Sequence, residues 1–231
     1  MGTDEISSIR YRYERRASVP LWRYSRWNPE VALRLHERQR VLTQLLRRQG
    51  IETLAGLDIL EVGCGSGANL IELIQLGAEP DRLIGVELIE DRAREARTVL
   101  PAAVRILVGD AATLDLPERS LDVVYQSTVF SSILDDNLQA SLAQTMWRLL
   151  RPGGAVLWYD FTFDNPSNRD VRGVPFRRVR ELFPRGVIQS RRVTLAPPLS
   201  RRVVALHPSL YGVFNAIPWL RTHRLCWILK P

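Results

Sequence analysis

The stretch Leu57-Asp58-Ile59-Leu60-Glu61-Val62-Gly63-Cys64-Gly65-Ser66-Gly67-Ala68-Asn69-Leu70 decides the fold of this 231-residue chain. Its first half is a short apolar run, which is typical of a strand buried on both faces of a parallel sheet. Its second half is a glycine-rich turn that leads into a helical pattern ended by Gly77. Glycines leave the backbone open to close approach by a ligand, which the first amides of the following helix then face. The stretch therefore predicts the strand–turn–helix of a nucleotide-type cofactor site.

The glycine turn alone leaves two kinds of cofactor open. Gly63, Gly65 and Ala68 also satisfy the G-x-G-x-x-[GA] fingerprint of dinucleotide sites. Taken by itself that match is weak, so the choice between cofactors has to come from residues outside the turn.

Three acids separate the two interpretations. Glu61 lies two residues before the first glycine, where a carboxylate can meet an ammonium group. Glu87 ends the second predicted strand, 83–87, where it can accept bonds from ribose hydroxyls. Asp110 ends the third, 106–110, where it can bond an adenine amino group. A dinucleotide explains only the second acid, whereas S-adenosylmethionine explains all three.

The motifs E-V-G-C-G-S-G, G-V-E and G-D-A at these intervals resemble those of the class I S-adenosylmethionine-dependent methyltransferases, and among them the small ubiquinone-biosynthesis-like group. The resemblance covers Leu57 to about Phe161 with specific motifs. It implies an α/β fold with a seven-stranded Rossmann-like sheet, mostly parallel with one antiparallel strand, and an N-terminal helical lid. It also implies S-adenosylmethionine as cofactor and S-adenosylhomocysteine as product. The residues predicted to hold the cofactor are Glu61, Gly63, Cys64, Gly65, Gly67, Glu87, Leu88, Asp110, Ala111, Gln126 and Ser127.

The predicted organisation is one structural domain in two parts. Residues 1–50 form an N-terminal arm and a lid helix, which begins at Asn28-Pro29 with a cap and a favourable first residue. Residues 51–231 form the cofactor-binding part, where alternating strands and helices imply a parallel sheet. The later predicted strands are 121–127, 154–161, 186–194 and 223–229, of which the last two form an antiparallel hairpin.

Charge is unevenly distributed along the chain. Residues 1–50 carry a net charge of +6, residues 51–160 carry −9 and residues 161–231 carry +10, which together give the total of +7. An acidic middle between two basic ends suggests that the ends meet something anionic, such as a lipid-linked acceptor or a membrane surface. No apolar run is long enough to span a membrane, and no signal peptide is recognised. With only two cysteines, a reducing cytoplasm is the expected location.

The basic, aromatic arm 1–28 is predicted to cover the acceptor. Tyr24 and Trp27 are expected to lie nearest to it, together with Phe130 and Tyr159 from the rim of the sheet. Stacking of arginines and aromatics on bases is an alternative use of such an arm.

The segment after the fourth strand, Gln126 to Ser132, is expected beside the reactive methyl group, because ligands bind at the carboxyl ends of parallel strands. It lacks the [DN]-P-P-[YF] motif of enzymes that methylate base amino groups, and the chain lacks a Pro-Cys nucleophile. These absences argue against nucleic acid as the substrate. Asp135-Asp136-Asn137 and Asp164-Asn165 could imitate the carboxylates of metal-dependent O-methyltransferases. Asp135 and Asp136 stand just before a helix as N-caps, however, and Gln126 occupies the strand end, so no metal is expected.

Asp160, at the end of the fifth strand, is the first candidate for a general base or substrate anchor. A cap for the following loop is an equally good interpretation. His207 and His223 are the other candidates that titrate near neutral pH, and His207 is placed with Asp160 in the predicted catalytic set.

The predicted function is methyl transfer from S-adenosylmethionine to a small molecule, with O-methylation of a sugar, glycolipid or hydroxyl-bearing metabolite preferred. An RNA methyltransferase and a regulatory S-adenosylmethionine-binding protein without transfer activity remain the alternatives.

Overall fold

A seven-stranded sheet organises the protein, whose computed structural model describes residues 2–16, 21–166 and 168–231. The strands are β1 (Ile59–Val62), β2 (Leu83–Glu87), β3 (Arg105–Val108), β4 (Leu121–Ser127), β5 (Leu150–Phe161), β6 (Val187–Leu195) and β7 (Arg221–Leu229). The α-helices are α1 (Gly2–Arg16), α2 (Pro29–Arg47), α3 (Ala68–Gln75), α4 (Glu90–Val99), α5 (Asp136–Leu149), α6 (Phe176–Leu182), α7 (Pro197–Leu206) and α8 (Leu210–Asn215).

The strand order is β3-β2-β1-β4-β5-β7-β6. Strands β1 to β5 are parallel, and β7 runs antiparallel to both of its neighbours. The predicted fold class is confirmed, including the single antiparallel strand. The order reverses between β1 and β4, and such a switch point opens a crevice at the carboxyl ends of the strands.

Alternation along β1 separates the two faces of the sheet. Leu60 and Val62 join the core cluster that contains residues of α1, α5 and α6. Ile59 joins the cluster that contains residues of α2, α3 and α4, and the Glu61 side chain points to the same side, where it bonds Asn69. Burial on both faces explains why the strand reads as an almost continuous apolar run.

Boundaries differ from prediction where local caps intervene. Strand β3 ends at Val108 because Asp110 caps a short 3-10 turn, accepting a bond from the amide of Ala112 at 2.9 Å. The arm, for which no secondary structure was predicted, contains helix α1. Segment 195–220, apolar and interrupted by prolines, likewise had no predicted secondary structure and folds as α7 and α8 between the last two strands.

Phe130 is part of the core and not an acceptor contact, so that sequence prediction is wrong. It is completely buried, and its ring packs on Trp158 with the ring centroids 4.5 Å apart. It follows β4 in a 3-10 turn whose buried side packs under α5.

Replacing Phe130 by Ala should lower the free energy of unfolding by about 3–5 kcal/mol, because the change removes a buried ring and leaves a cavity. Urea denaturation measures this loss. The matched control is Phe163→Ala, at a ring that is 56% exposed, where a change within about 0.5 kcal/mol is expected. Equal effects of the two substitutions would contradict the placement of Phe130.

Candidate cofactor and active site

The turn after β1 requires glycine for its backbone conformation. Gly63, Gly65 and Gly67 have φ values of 65°, 58° and 86°, in the left-handed region that other residues rarely adopt. A Cβ on Gly65 would lie 2.5 Å from the Arg92 guanidinium. A Cβ on Gly67 would lie 2.7 Å from Leu100. The third glycine therefore serves the packing of α3 against the end of α4, and not the approach of a ligand as the sequence suggested.

Beside the turn lies a cavity of about 130 Å³ at the switch point of the sheet. Six of the eleven predicted cofactor residues line it, namely Gly63, Glu87, Leu88, Asp110, Ala111 and Ser127. Ile6, Ile9 and Tyr13 of α1 form its opposite wall. The arm thus covers the predicted cofactor end of the crevice, and this closure keeps the cavity below the roughly 300–1,000 Å³ of most ligand sites.

Glu87 ties the end of β2 to the glycine turn. Its Oε2 accepts a bond from the amide of Gly65 at 2.8 Å, and its Oε1 accepts one from Ile89 at 2.9 Å. A carboxylate keeps further lone pairs, so the same group can accept bonds from ribose hydroxyls. Cys64 is buried beneath the turn, where its Sγ would lie 2.7 Å from a Cβ on Gly85.

Glu61 belongs to a buried chain of hydrogen bonds that reaches into the lid helix. Asn69 donates to its Oε1 at 2.6 Å, and Arg38 donates to Asn69 Oδ1 at 2.7 Å. Arg38 also pairs with Glu72 at 2.5 Å, and its guanidinium lies over the Tyr159 ring, 5.2 Å from the centroid.

Arg38 was not among the predicted site residues, although its spacing in the sequence contains a signal for a buried position. It follows Val31 by seven residues and precedes Leu42 by four, so it falls on the apolar stripe of α2. A charged residue on such a stripe needs a buried partner.

The hydrogen-bond chain from Arg38 to Glu61 ends in a carboxylate oxygen that a cationic ligand could bind. Glu61 is completely buried, and its Oε2 has no hydrogen-bond partner in the described part of the structure. Burial raises the pKa of Glu61 to about 8, against the opposing effects of the Asn69 bond and the Arg38 charge. An ammonium group, such as that of S-adenosylmethionine, is the kind of ligand that would satisfy the free oxygen.

Gln126 and Asp160 stabilise the turn after β4. Gln126 is completely buried; its Oε1 accepts from the amide of Val129 at 3.1 Å, and its amide donates to a carbonyl of β5. The Asp160 carboxylate, also completely buried, accepts from the amides of Ser131 at 3.1 Å and Phe161 at 2.9 Å. The cap interpretation of Asp160 therefore matches the geometry, and the carboxylate is not open at the rim as a base would be.

The structure separates the two candidate histidines. His207 is exposed after α7, where its Nδ1 accepts from the amide of Ser209 at 3.2 Å, so it does not have the predicted catalytic position. His223 is buried at the rim, stacked on Tyr159 with the ring centroids 5.0 Å apart. Tyr159 is itself buried in the core, and its hydroxyl is 2.9 Å from that of Thr194, so its contact with an acceptor stays a prediction.

The remaining predicted residues are explained by their surroundings. Trp27 is 88% exposed and does not line the cavity beside the glycine turn. The Tyr24 side chain lies outside what the structure describes. Asp135 caps α5 and Asp136 pairs with Arg172. Among the described residues, no three His, Cys, Asp or Glu side chains come together as a metal site would require.

Binding of S-adenosylmethionine should release a proton from Glu61. At pH 7 a group with a pKa one unit higher is ~90% protonated, and an ammonium ligand favours the ionised form, so ~0.9 proton should leave per site. Affinity should therefore rise with pH up to about 8. Calorimetry in buffers of different ionisation enthalpy measures the release. Glu61→Gln should abolish it, and equal proton release from both proteins would refute the assignment.

Asp160 should make stability depend on pH. Burial raises its pKa from 3.8 to about 7. Between about pH 4 and 7 the folded protein holds a proton that the unfolded chain has released, so stability from this group falls as pH rises. Asp160→Asn should change stability by less than about 1 kcal/mol at pH 5, where the protonated carboxyl and the amide each offer one carbonyl oxygen to the two backbone amides. The substitution should also reduce the loss of stability as the pH rises toward 8. Parallel urea-unfolding profiles for the two proteins would contradict this.

Comparisons with known proteins agree with the fold and the turn. Residues 59–154 match the model of a methyltransferase domain family. The chain is 30% identical over 115 residues to a tRNA N(3)-cytidine methyltransferase, METTL2, of Gallus gallus, covering 46% of this chain and 31% of that protein. It is 38% identical over 105 residues to a probable S-adenosylmethionine-dependent methyltransferase of Mycolicibacterium smegmatis, covering 45% and 37%. The chain thus spans about a third of the length of these relatives.

Solved structures share the fold over nearly the whole chain. Phosphoethanolamine N-methyltransferase 1 of Haemonchus contortus superposes with a TM-score of 0.67 at 14% identity, covering 98% of this chain and 49% of that one. A 1,6-didemethyltoxoflavin-N1-methyltransferase of Burkholderia thailandensis gives 0.64 at 17% identity, covering 99% and 90%. Both were crystallised with S-adenosylhomocysteine. The expectation that nucleic acid is not a partner finds no support in the tRNA-modifying relatives. The strand order and the glycine turn thus agree with the methyltransferase domain that residues 59–154 match, and with the fold of the solved methyltransferases.

Proposed function

We propose that the protein transfers the methyl group of S-adenosylmethionine to a hydroxyl oxygen of a small acceptor at the rim of the sheet. The cofactor, when bound, supplies an electrophilic methyl group on a sulfonium. Glu61 would accept the ammonium, Glu87 the ribose hydroxyls and Asp110 the adenine amino group. The observation that carries the proposal is the buried, partnerless Glu61 oxygen beside a glycine turn whose cavity is lined by the other two acids.

The acceptor side of the site is proposed to lie between α2, β5 and β7. Ser127 lines the cavity, and Arg38 Nη1 lies 3.5 Å from its hydroxyl. From Arg38 the contacts continue to the Tyr159 ring and then to His223. These contacts connect the cofactor cavity to His223 through buried side chains of α2 and β5.

His223 has the properties of a proton acceptor for a hydroxyl. Its Nδ1 is 3.0 Å from the Thr222 hydroxyl, so Nε2 is the ring nitrogen that would take a proton from an acceptor. Burial, reinforced by the charges of Arg34 and Arg38, lowers the pKa of His223 to about 3, so the ring is neutral near pH 7. A protonated ether is a much stronger acid than an imidazolium, so even this weakly basic ring can take the proton released on O-methylation.

Methylation of RNA is the second candidate. The tRNA-modifying relatives favour it, as does the positive charge of both ends of the chain. The absence of a base-methylation motif after β4 favours the small acceptor.

The acceptor class can be tested with methyl-labelled S-adenosylmethionine and three pools: soluble glycosides, hydroxylated lipids and bulk tRNA. We expect transfer of label to one of the first two, in a product that is stable as an ether. Labelled methylcytidine from the tRNA pool would instead establish the second candidate.

With the acceptor found, His223→Ala should lower kcat, by less than the factor of about 10²–10⁴ that a base with a pKa near the working pH contributes. Because the ring is neutral, kcat at saturating cofactor should be flat between about pH 6 and 9. Steady-state kinetics across this range measure both effects. His36→Ala, at an exposed histidine of α2, is the matched control and should be fully active. Unchanged kcat in His223→Ala, with normal cofactor binding, would refute the role of His223 while leaving methyl transfer intact.

A further inference from the structure

Two segments at the rim expose large apolar side chains. Among the described residues, the three most exposed large hydrophobic side chains are Trp27 at 88%, Trp219 at 83% and Leu206 at 80%. Trp22, Val213 and Ile217 are exposed in the same two segments, 21–28 and 196–220. Single exposed apolar residues are normal in soluble proteins, but a group of this size marks an interaction surface.

The two segments are neighbours in space. Segment 21–28 leads directly into α2, and the first turn of α2 contacts α7 through Glu30 Oε1, which accepts a bond from the Ser200 hydroxyl at 3.0 Å. Leu33, one turn further, packs on the small core beneath α7 and α8. Segment 196–220 joins the carboxyl end of β6 to β7, and the amide of Ala196 bonds the carbonyl of Leu220 at 2.8 Å. Both segments therefore lie at the same edge of the sheet as the acceptor side of the site.

The charges of this surface all have one sign. Neither segment contains an Asp or Glu. Arg23 and Arg26 are exposed in the first segment, and Arg201 and Arg202 are exposed on α7 in the second. Exposed arginines beside exposed tryptophans and aliphatic side chains combine attraction to anions with apolar area that can leave water.

We infer that segments 21–28 and 196–220 together form a docking surface for an anionic lipid bilayer. Tryptophan favours the boundary between headgroups and acyl chains, and arginine binds headgroup phosphate in a bidentate manner. The aliphatic members Leu206, Val213 and Ile217 can enter the acyl region, whereas RNA offers them no partner. None of the described helices combines the length and apolarity that a transmembrane span requires, so the contact is at the surface of the membrane.

Docking in this orientation would place the rim against the bilayer. The acceptor would then be a hydroxyl-bearing molecule that the membrane holds, an assignment that rests on the proposed function. The docking surface itself does not depend on the transfer reaction and is tested without it.

The test is sedimentation of the purified full chain with sucrose-loaded vesicles. Vesicles of phosphatidylcholine containing about 30 mol% phosphatidylglycerol should bind the protein and shift its tryptophan fluorescence to the blue, while pure phosphatidylcholine should bind it weakly. Trp27→Ala/Trp219→Ala should reduce the partition coefficient roughly tenfold through loss of inserted apolar area. Arg201→Gln/Arg202→Gln should reduce it by a similar factor on anionic vesicles only.

The matched control is Arg94→Gln/Val99→Ala on α4, which also removes one exposed arginine and one exposed apolar side chain. It should bind anionic vesicles like the unmodified chain. Thermal unfolding and S-adenosylmethionine calorimetry on every variant show that fold and cofactor site are retained.

Three results would overturn the inference: no binding of the unmodified chain to anionic vesicles, equal binding of the tryptophan double variant, or equal loss in the α4 control. Dimerisation without lipid that the tryptophan substitutions abolish would assign the surface to a second copy of the chain. Binding of RNA in preference to vesicles would assign it to nucleic acid. Failure of docking together with intact cofactor binding would reject this surface and leave the proposed methyl transfer standing.

Discussion

The buried hydrogen-bond chain from Arg38 through Asn69 to Glu61 is the interaction on which the arrangement of the site depends. It connects α2 to the first turn of α3 and to β1, and the same guanidinium lies over a ring of β5. Arg38 and Glu72 are both buried, and removing one partner of such a pair typically costs about 3–5 kcal/mol, because the other charge is left without compensation. Arg38 therefore both holds α2 in position and supplies the positive charge beside the glycine turn.

The same hydrogen-bond chain also explains how acidic side chains can be concentrated at the site. Glu61, Glu72 and Glu87 are all buried around one turn. Arg38 neutralises part of this charge, and burial raises the pKa of Glu61 in spite of it. A cationic ligand would favour the ionised form of Glu61. Along the sequence, acidic residues are concentrated in the middle of the chain and basic residues at its two ends. In the folded site these parts meet, because Arg38 of the N-terminal part pairs with the buried Glu72 of the middle part.

The part of the site that was predictable is the part encoded by short sequence intervals. Strand, turn and acids follow from residues 57–110, because positive φ at the turn demands glycine and strand ends demand particular positions. The roles of Asp160 and His223 were not predictable. The sequence places a carboxylate at the end of β5, which suits either a cap or a base. Only the fold shows that backbone amides donate hydrogen bonds to both of its oxygens. Similarly, tertiary packing alone distinguishes the buried His223 from the exposed His207. Helix α1 was missed because its few apolar side chains, Ile6 and Ile9 among them, are spread among charges.

The position of α1 has a kinetic consequence. It walls the cofactor cavity, and its polar contacts with the rest of the chain include those of Glu5 with the amide of Leu134 at 2.8 Å, of Arg12 with the carbonyl of Ser132 at 3.0 Å and of Arg15 with Asp170. A cofactor bound in this cavity would lie against α1, so its exchange would be coupled to the motion of that helix. Such gating steps often limit turnover in enzymes. Since the Arg15–Asp170 pair is accessible to ions, added salt would speed this exchange even though it leaves the chemical step untouched.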